Sequence, residues 1–341
     1  MQFIPKIIYT CFLFFSCLTL TEAVAQQQKQ TSYNATLEGY NYPHPVKHFP
    51  ITLEGKAYKM AYMDVAPATA RANQPVVVLL HRKNFMGAYW RETIQHLADN
   101  GYRVIVPDQI GFGKSDKPAI DYSFHQLALN TKLLLESLQV KRATLVGHSM
   151  GGMLATRFAL LYPELTEKLV LENPIGLEDY RQFVPFKTMD ELLKEELGRT
   201  AESVRNYHKT YYTSWKPAYE EWVTATASQF KHADYPKVAK AAALTYSMIY
   251  QQPVVHELGQ VQAPTLLVIG QEDRTIVGRG YIKEKEKLEE YGQYPLLGQQ
   301  TAGAIPNAQL VELPKVGHIP HLEAQAQFQK ALLEFLAKDK E

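Results

Sequence analysis

Short apolar runs and amphipathic segments alternate along most of the chain. Residues 49–53 and 57–64 are two β-strand patterns on either side of Glu54-Gly55, a dipeptide typical of tight turns. Residues 75–80 (PVVVLL) form a continuous apolar run, which is typical of a strand buried on both faces. The first part of the chain therefore predicts a hairpin followed by a buried strand.

From residue 75 onward, strand and helix patterns follow one another. The predicted helices are residues 88–100, 124–138, 150–162 and 321–337, and the further predicted strands are residues 103–107, 143–146, 168–172, 265–269 and 309–313. Repeated strand–helix units favour parallel strands with right-handed crossovers. The predicted fold class is α/β, with a mostly parallel central sheet covered by helices on both faces.

One long segment interrupts this alternation. Residues 178–250, called the cap segment below, contain no buried-strand pattern and are predicted to form several helices separated by prolines. The segment is also crowded with tyrosine, tryptophan and phenylalanine, so we interpret it as a helical insertion over the sheet. The predicted organisation is a signal peptide (1–25), an extended leader (26–48), the first part of the core (49–177), the cap segment (178–250) and the second part of the core (251–341).

The N-terminal residues have the pattern of a secretory signal peptide. A short n-region containing Lys6 precedes an apolar stretch at 7–20, and residues 23–25 offer an A-x-A cleavage site. We therefore predict cleavage near Ala25-Gln26, export to a bacterial periplasm or exterior, and no stable membrane insertion after cleavage. Cys11 and Cys17 lie within the predicted signal peptide, so the mature chain needs no disulfide.

The overall charge is balanced. Of the 341 residues, 36 are Lys or Arg and 35 are Asp or Glu, which gives a net charge of +1. This balance argues against a general basic surface for nucleic acid. A small molecule is the partner that we expect, and the oligomeric state is open.

A glycine-flanked serine is the strongest chemical signal. Gly147-His148-Ser149-Met150-Gly151 follows a predicted strand and opens a predicted helix. In this setting G-x-S-x-G forms a nucleophile elbow, a turn so sharp that only glycine fits on either side of the serine. Ser149 is therefore the predicted nucleophile.

A serine hydroxyl needs a base, and the base needs an acid to orient it. His318 follows the last predicted strand in a Gly/Pro loop, and Asp273 follows the preceding predicted strand at the same sheet edge. Glu272 and Glu172 compete with Asp273 as the acid. His318 and His321 are spaced like a metal pair, but without a nearby carboxylate or cysteine cluster in the sequence we expect no metal and no cofactor.

The developing oxyanion needs backbone donors. Met150, at the start of the helix after Ser149, is one candidate, and the loop after the 75–80 strand is expected to supply the second. That loop begins His81-Arg82-Lys83, and the Lys83 N–H is our choice.

Taken together, these motifs resemble the α/β-hydrolase fold superfamily over residues 49–336, and most closely its capped serine esterase and C–C hydrolase branch. The resemblance implies the order Ser149, Asp273, His318 and a cap over the active site. Asp is the nucleophile in haloalkane dehalogenases and epoxide hydrolases of this branch, so Ser149 argues against both. Arg82 departs from the pattern, because the family usually has glycine there. The long interval before His318, with a predicted charged helix at 282–290 and a predicted loop at 295–306, has no assigned function.

We therefore expect an exported serine hydrolase that cleaves a small apolar or aromatic carboxylic ester, thioester or lactone. A C–C bond hydrolase and an aminopeptidase of the same fold are alternatives. A non-catalytic small-molecule-binding protein on a hydrolase scaffold is a further alternative from another class.

Overall fold

The structure is a computed structural model that describes residues 32–69 and 74–338. The predicted signal peptide and the first residues of the predicted leader lie outside these ranges. Within them, no helix combines the length and the apolar character that a membrane crossing requires.

The described residues form one eight-stranded sheet. Its strands are β1 (Val46–Leu53), β2 (Lys56–Val65), β3 (Val76–Leu80), β4 (Arg103–Pro107), β5 (Ala143–His148), β6 (Thr166–Glu172), β7 (Thr265–Gly270) and β8 (Ala308–Leu313). They lie in the order β1-β2-β4-β3-β5-β6-β7-β8. The pairs β1–β2 and β2–β4 are antiparallel, whereas the other five pairs are parallel. The predicted mostly parallel α/β sheet is confirmed.

Ten α-helices follow or connect these strands in the described residues. They are α1 (Arg91–Asp99), α2 (Phe124–Ser137), α3 (Met150–Leu161), α4 (Met189–Leu197), α5 (Ala201–Lys209), α6 (Glu220–Ala227), α7 (Tyr235–Gln251), α8 (Tyr294–Ala304), α9 (Pro320–Glu323) and α10 (Gln325–Ala337). Helices α4 to α7 lie between β6 and β7, and no strand occurs at residues 178–250.

The apolar run of β3 shows why the sheet needs cover on both sides. Val78 and Leu80 belong to one buried apolar cluster, and Val77 and Leu79 belong to a second cluster. Successive side chains of a strand point to opposite faces, so each face packs against its own layer of helices. All five residues of β3 are buried, which explains the unbroken apolar pattern.

The interval between β7 and β8 differs from the prediction. The predicted loop at 295–306 is wrong, because residues 294–304 form α8. Its Pro295 stands in the first helical turn, where the missing N–H costs no hydrogen bond. Gly298 packs so closely on β7 that a Cβ atom there would lie 3.0 Å from Ile269. The predicted charged helix at 282–290 is only a short 3-10 turn, Lys285–Glu289.

Candidate active site

Ser149 occupies a strained turn between β5 and α3. Its backbone has φ 56° and ψ −118°, a conformation that L-residues rarely adopt. A Cβ atom at Gly147 would collide with the carbonyl of Gly151, and one at Gly151 would collide with the carbonyl of Leu80. The two glycines therefore allow the turn, and the turn places Ser149 at the carboxyl end of the sheet.

The structure brings Ser149, His318 and Asp273 together from three loops. The Oγ of Ser149 lies 3.0 Å from Nε2 of His318. On the other side of the ring, Nδ1 of His318 lies 2.6 Å from Oδ2 of Asp273. All three side chains are buried, and only 4% of Ser149 is exposed.

The ionisation of Asp273 fixes the direction of these hydrogen bonds. Burial by itself raises the pKa of this carboxyl, but the charge of His318 and the hydrogen bonds from His318, Thr275 and Asn173 outweigh it, and the pKa falls below its usual value. An ionised Asp273 can only accept, so Nδ1–H of His318 donates to it. Nε2 then carries the lone pair that accepts the Ser149 hydroxyl proton.

Asn173, a residue that the sequence analysis missed, holds Asp273 in place. Its side-chain amide donates to Oδ2 of Asp273 at 2.7 Å, and its Oδ1 accepts from the N–H of Gly270 at 2.9 Å. Asn173 directly follows β6, so its position at the carboxyl end of a strand was the available signal.

The two competing acids lie elsewhere. The Glu272 side chain is exposed, whereas Glu172 is buried and bonds to His321 instead of His318. Both carboxylate oxygens of Glu172 lie 2.9 Å from Nδ1 of His321, and Oε1 also accepts the backbone N–H of His321 at 2.7 Å. Glu172 therefore belongs to a second histidine–carboxylate pair.

His148, Glu172 and His321 offer ligand atoms within 4.8 Å of one another, so a carboxylate does lie near the histidines in space. However, Nε2 of His148 bonds to the carbonyl of His318 at 2.7 Å, and Nδ1 of His148 bonds to Tyr89 Oη at 3.0 Å. Both nitrogens of His148 are thus engaged, and we describe the group as a hydrogen-bonded cluster.

The two predicted oxyanion donors are backbone N–H groups. Within the described part of the chain, neither the N–H of Met150 nor that of Lys83 makes a hydrogen bond. By contrast, the N–H of Arg82 donates to Tyr89 Oη at 3.2 Å. The Lys83 side chain is directed to the cap segment, with Nζ 3.8 Å from Glu196, and burial lowers its pKa to about 8.

A chain of hydrogen bonds connects this loop to the histidine loop. Burial, followed by the charges of His318, His321 and Arg82, holds the pKa of His148 well below its ordinary value, so the ring is neutral. Its Nε2–H donates to the carbonyl of His318, and its Nδ1 accepts from Tyr89. Tyr89 thereby bridges Arg82 and His148.

Comparison with known proteins identifies the family. A family model described as the alpha/beta hydrolase fold matches residues 75–325, most of the chain. The chain belongs to the α/β-hydrolase fold family. This hydrolase is 47% identical to a probable hydrolytic enzyme from Pseudomonas aeruginosa PAO1, whose crystal structure superposes with a TM-score of 0.87 over 90% of this chain and 99% of the other.

Two curated relatives of the hydrolase have different named activities. It is 30% identical to a 2-hydroxy-6-oxononadienedioate/2-hydroxy-6-oxononatrienedioate hydrolase of Paraburkholderia phymatum, over 78% of this chain and 88% of the relative. It is 27% identical to a putative carbamate hydrolase of Pseudomonas syringae, over 79% of this chain and 96% of the relative. The predicted resemblance to the superfamily is confirmed.

Tyr211 of the cap segment covers the histidine of the hydrolase. Its ring stacks on the ring of His318 with centroids 4.9 Å apart, and its carbonyl accepts the His318 N–H at 2.7 Å. The sequence analysis missed this contact, because the aromatic richness of the cap segment does not single out one tyrosine.

We expect Tyr89→Phe to lower the free energy of unfolding of the hydrolase by about 1–3 kcal/mol, because it leaves a buried N–H at Arg82 and a buried acceptor at His148 without a partner. Urea denaturation followed by tryptophan fluorescence measures this change. Tyr212→Phe is the matched control, since the buried hydroxyl of Tyr212 has no hydrogen-bond partner among the described residues. Equal losses in the two variants would contradict the bridging role.

Proposed function

We propose that this α/β-hydrolase is a serine hydrolase that cleaves a small apolar or aromatic carboxylic ester, thioester or lactone through an acyl-enzyme. The proposal depends on one observation above all: Ser149 Oγ lies 3.0 Å from Nε2 of His318, whose Nδ1 lies 2.6 Å from Asp273. This geometry is that of a nucleophile, a base and an orienting acid. Ser149, His318 and Asp273 are the proposed catalytic residues.

In the proposed reaction, His318 accepts the hydroxyl proton while Ser149 Oγ attacks the acyl carbon. The N–H groups of Met150 and Lys83 donate to the resulting oxyanion. When the intermediate collapses, the bond to the leaving alcohol, thiol or lactone oxygen breaks, and His318 returns the proton to that atom. Water then repeats the sequence on the acyl-enzyme and releases a carboxylic acid and free Ser149.

The aromatic surroundings support an apolar or aromatic acyl group. Phe85 follows the oxyanion loop and packs on Trp222 of α6, with centroids 5.9 Å apart. Together with the Tyr211 ring on His318, this pair places aromatic rings next to the base and directly after the oxyanion loop. We further propose that residues 178–250 act as a cap that must move to admit substrate, since Ser149 is buried.

A C–C bond hydrolase is the second candidate. It is favoured by the 30% identity to the Paraburkholderia phymatum relative, whose name denotes an oxononadienedioate hydrolase. The same triad serves this reaction if the leaving group is a stabilised carbanion that takes up a proton instead of an alcohol.

A fluorophosphonate probe and a substrate panel test the proposal together. We expect the probe to label Ser149 and no other residue, as read by mass spectrometry of the digested protein. The panel contains an aryl ester, a thioester, a lactone, a 1,3-diketone and an aminoacyl amide. Diketone cleavage at a higher kcat/KM than every ester would favour the C–C hydrolase, and amide cleavage would favour an aminopeptidase. Folded protein that resists the probe would favour a non-catalytic binder.

We also propose that the protein is exported, on the basis of the signal-peptide pattern at 1–25. When the full chain is expressed in a Gram-negative host, we expect it in the periplasmic fraction with Gln26 as its first residue. N-terminal sequencing of the fractionated protein measures this. A protein that begins at Met1 and remains in the cytoplasmic fraction would contradict export.

A further inference from the structure

The guanidinium of Arg82 is buried without a counter-ion. Arg82 is 3% exposed, and its Nε and Nη1 have no hydrogen-bond partner. No carboxylate in the described ranges 32–69 and 74–338 pairs with it. A buried charge without a partner is costly, so such groups in proteins are normally paired or bind a ligand.

Two aromatic rings hold this guanidinium. Its Cζ lies 3.8 Å from the ring centroid of Tyr211 and 4.6 Å from that of Phe85. Cation–π contacts of this kind offset part of the cost of burial, but they act on the faces of the planar group. The N–H donors of a guanidinium lie in its plane and at its edges, so the rings leave them unsatisfied.

Arg82 is connected to the proposed catalytic residues through its neighbour Lys83 and through Tyr211. Arg82 immediately precedes Lys83, whose N–H is one of the proposed oxyanion donors. The Tyr211 ring that covers Arg82 also stacks on His318, at 4.9 Å.

The buried carboxylates of the site are engaged elsewhere. Asp273 bonds to His318 and Asn173, and Glu172 bonds to His321. Neither is an ion-pair partner of Arg82 among the described residues. The charge that would neutralise Arg82 must therefore come from outside the described protein.

We propose that Arg82 binds a carboxylate group of the substrate, so that the hydrolase prefers acyl compounds with an anionic group close to the bond that is cleaved. This inference rests on the proposed function for its link to catalysis. A carboxylate is the complementary ligand because its two oxygens match two parallel N–H donors of a guanidinium. The selected substrate class is thus a carboxylate-bearing ester, thioester or lactone.

Matched substrate pairs show on which side of the ester the carboxylate lies. On the acyl side, mono-4-nitrophenyl glutarate is compared with 4-nitrophenyl valerate; on the leaving-group side, 4-acetoxybenzoate is compared with phenyl acetate. We expect kcat/KM to be about 10–100-fold higher for the anionic member of one pair, the usual range for a charged hydrogen bond. No preference for the anionic member in either pair would overturn the proposal.

Variants of Arg82 show whether this residue causes the preference. In Arg82→Gln, the ratio of kcat/KM for the anionic substrate to kcat/KM for the neutral one should fall to about one, mainly because KM for the anionic substrate rises. Arg82→Lys should retain part of the preference, because it keeps the charge but loses the planar guanidinium. Arg91→Gln is the matched control, since it removes the same charge from an exposed ion pair with Glu221 and should keep the wild-type ratio. An equal loss for both members of a pair in Arg82→Gln would overturn the proposal in favour of a purely structural role.

A binding experiment separates this inference from the proposed function. Calorimetry on Ser149→Ala should detect glutarate or 4-hydroxybenzoate but not the uncharged amides of these acids, and Ser149→Ala/Arg82→Gln should bind neither. Carboxylate binding that depends on Arg82, in a protein that cleaves no ester, would support the anion site and reject the serine hydrolase. Ester cleavage without carboxylate binding would support the serine hydrolase and reject the anion site.

If Arg82→Gln does not fold, inhibition of the wild-type enzyme provides the same test. We expect glutarate, but not glutaramide, to inhibit hydrolysis of 4-nitrophenyl valerate. Equal inhibition by both compounds would overturn the proposal.

Discussion

Ser149→Ala is expected to lower kcat about a millionfold on the best ester substrate, as the loss of a triad serine does in other serine hydrolases. Without Oγ, no acyl-enzyme can form, and water must attack directly. The oxyanion donors Met150 and Lys83 remain, so a small rate above the uncatalysed reaction should persist. Stopped assays with extended incubation, together with intact-mass analysis for a missing acyl adduct, measure both effects.

Ser137→Ala is the matched control for this variant, because Ser137 is exposed on α2 and bonds only to the carbonyl of Leu134. It should keep the wild-type kcat. Ser149→Ala protein with wild-type thermal stability and more than about one hundredth of the wild-type kcat would reject the nucleophile assignment.

Asp273→Asn is expected to lower kcat about ten-thousandfold while leaving the fold intact. An amide can donate to Nδ1 of His318, which stabilises the tautomer that carries the proton on Nε2 and so removes the acceptor for the Ser149 proton. Single-turnover kinetics with a chromogenic ester locate the loss in the acylation step.

Glu172→Gln is the informative comparison, because Glu172 was the other buried candidate for the acid. It bonds to His321, so its loss should weaken stability far more than it lowers kcat. A larger loss of kcat in Glu172→Gln than in Asp273→Asn would exchange the two roles.

The ionisation of Asp273 also links the active site to acid stability. Its pKa is lower in the folded protein than in the unfolded chain, so the carboxylate stabilises the fold at pH values above its unfolded pKa, about 4. That contribution is lost as the pH falls through the lower, folded pKa. Asp273→Asn should therefore show a shallower loss of stability in acid than the wild type.

The fold was predictable because a parallel sheet leaves a strong local signature. β3, β5 and β7 are buried on both faces, so every residue of each strand is buried and the strands are mainly apolar instead of alternating between apolar and polar residues. The Ser149 elbow was predictable for a related reason, since its two glycines are required by contacts within a few residues and with the neighbouring strand. The helix α8 was missed because Pro295 and its glycines are breakers by local propensity, and only packing on Ile269 makes Gly298 favourable.

The parts of the site that were missed depend on contacts between distant segments. Asn173 reaches Asp273 across 100 positions of sequence, and His148 reaches the His318 carbonyl across 170. Glu172 and His321 likewise meet only because β6 and the loop after β8 end at the same edge of the sheet. Local pattern carries no information on such pairings, so a single sequence could suggest Glu172 as the acid but could not assign it to His321.

The double attachment of Tyr211 to His318 has a kinetic consequence. Tyr211 belongs to the cap segment, so the cap movement proposed above would change both of its contacts with His318 and would leave the base less firmly held. Each catalytic cycle would include two such movements, one for substrate entry and one for product exit. For highly activated esters, product release should then limit kcat. We expect kcat to stop rising as the leaving group becomes more acidic, and to fall as the viscosity of the solvent is raised.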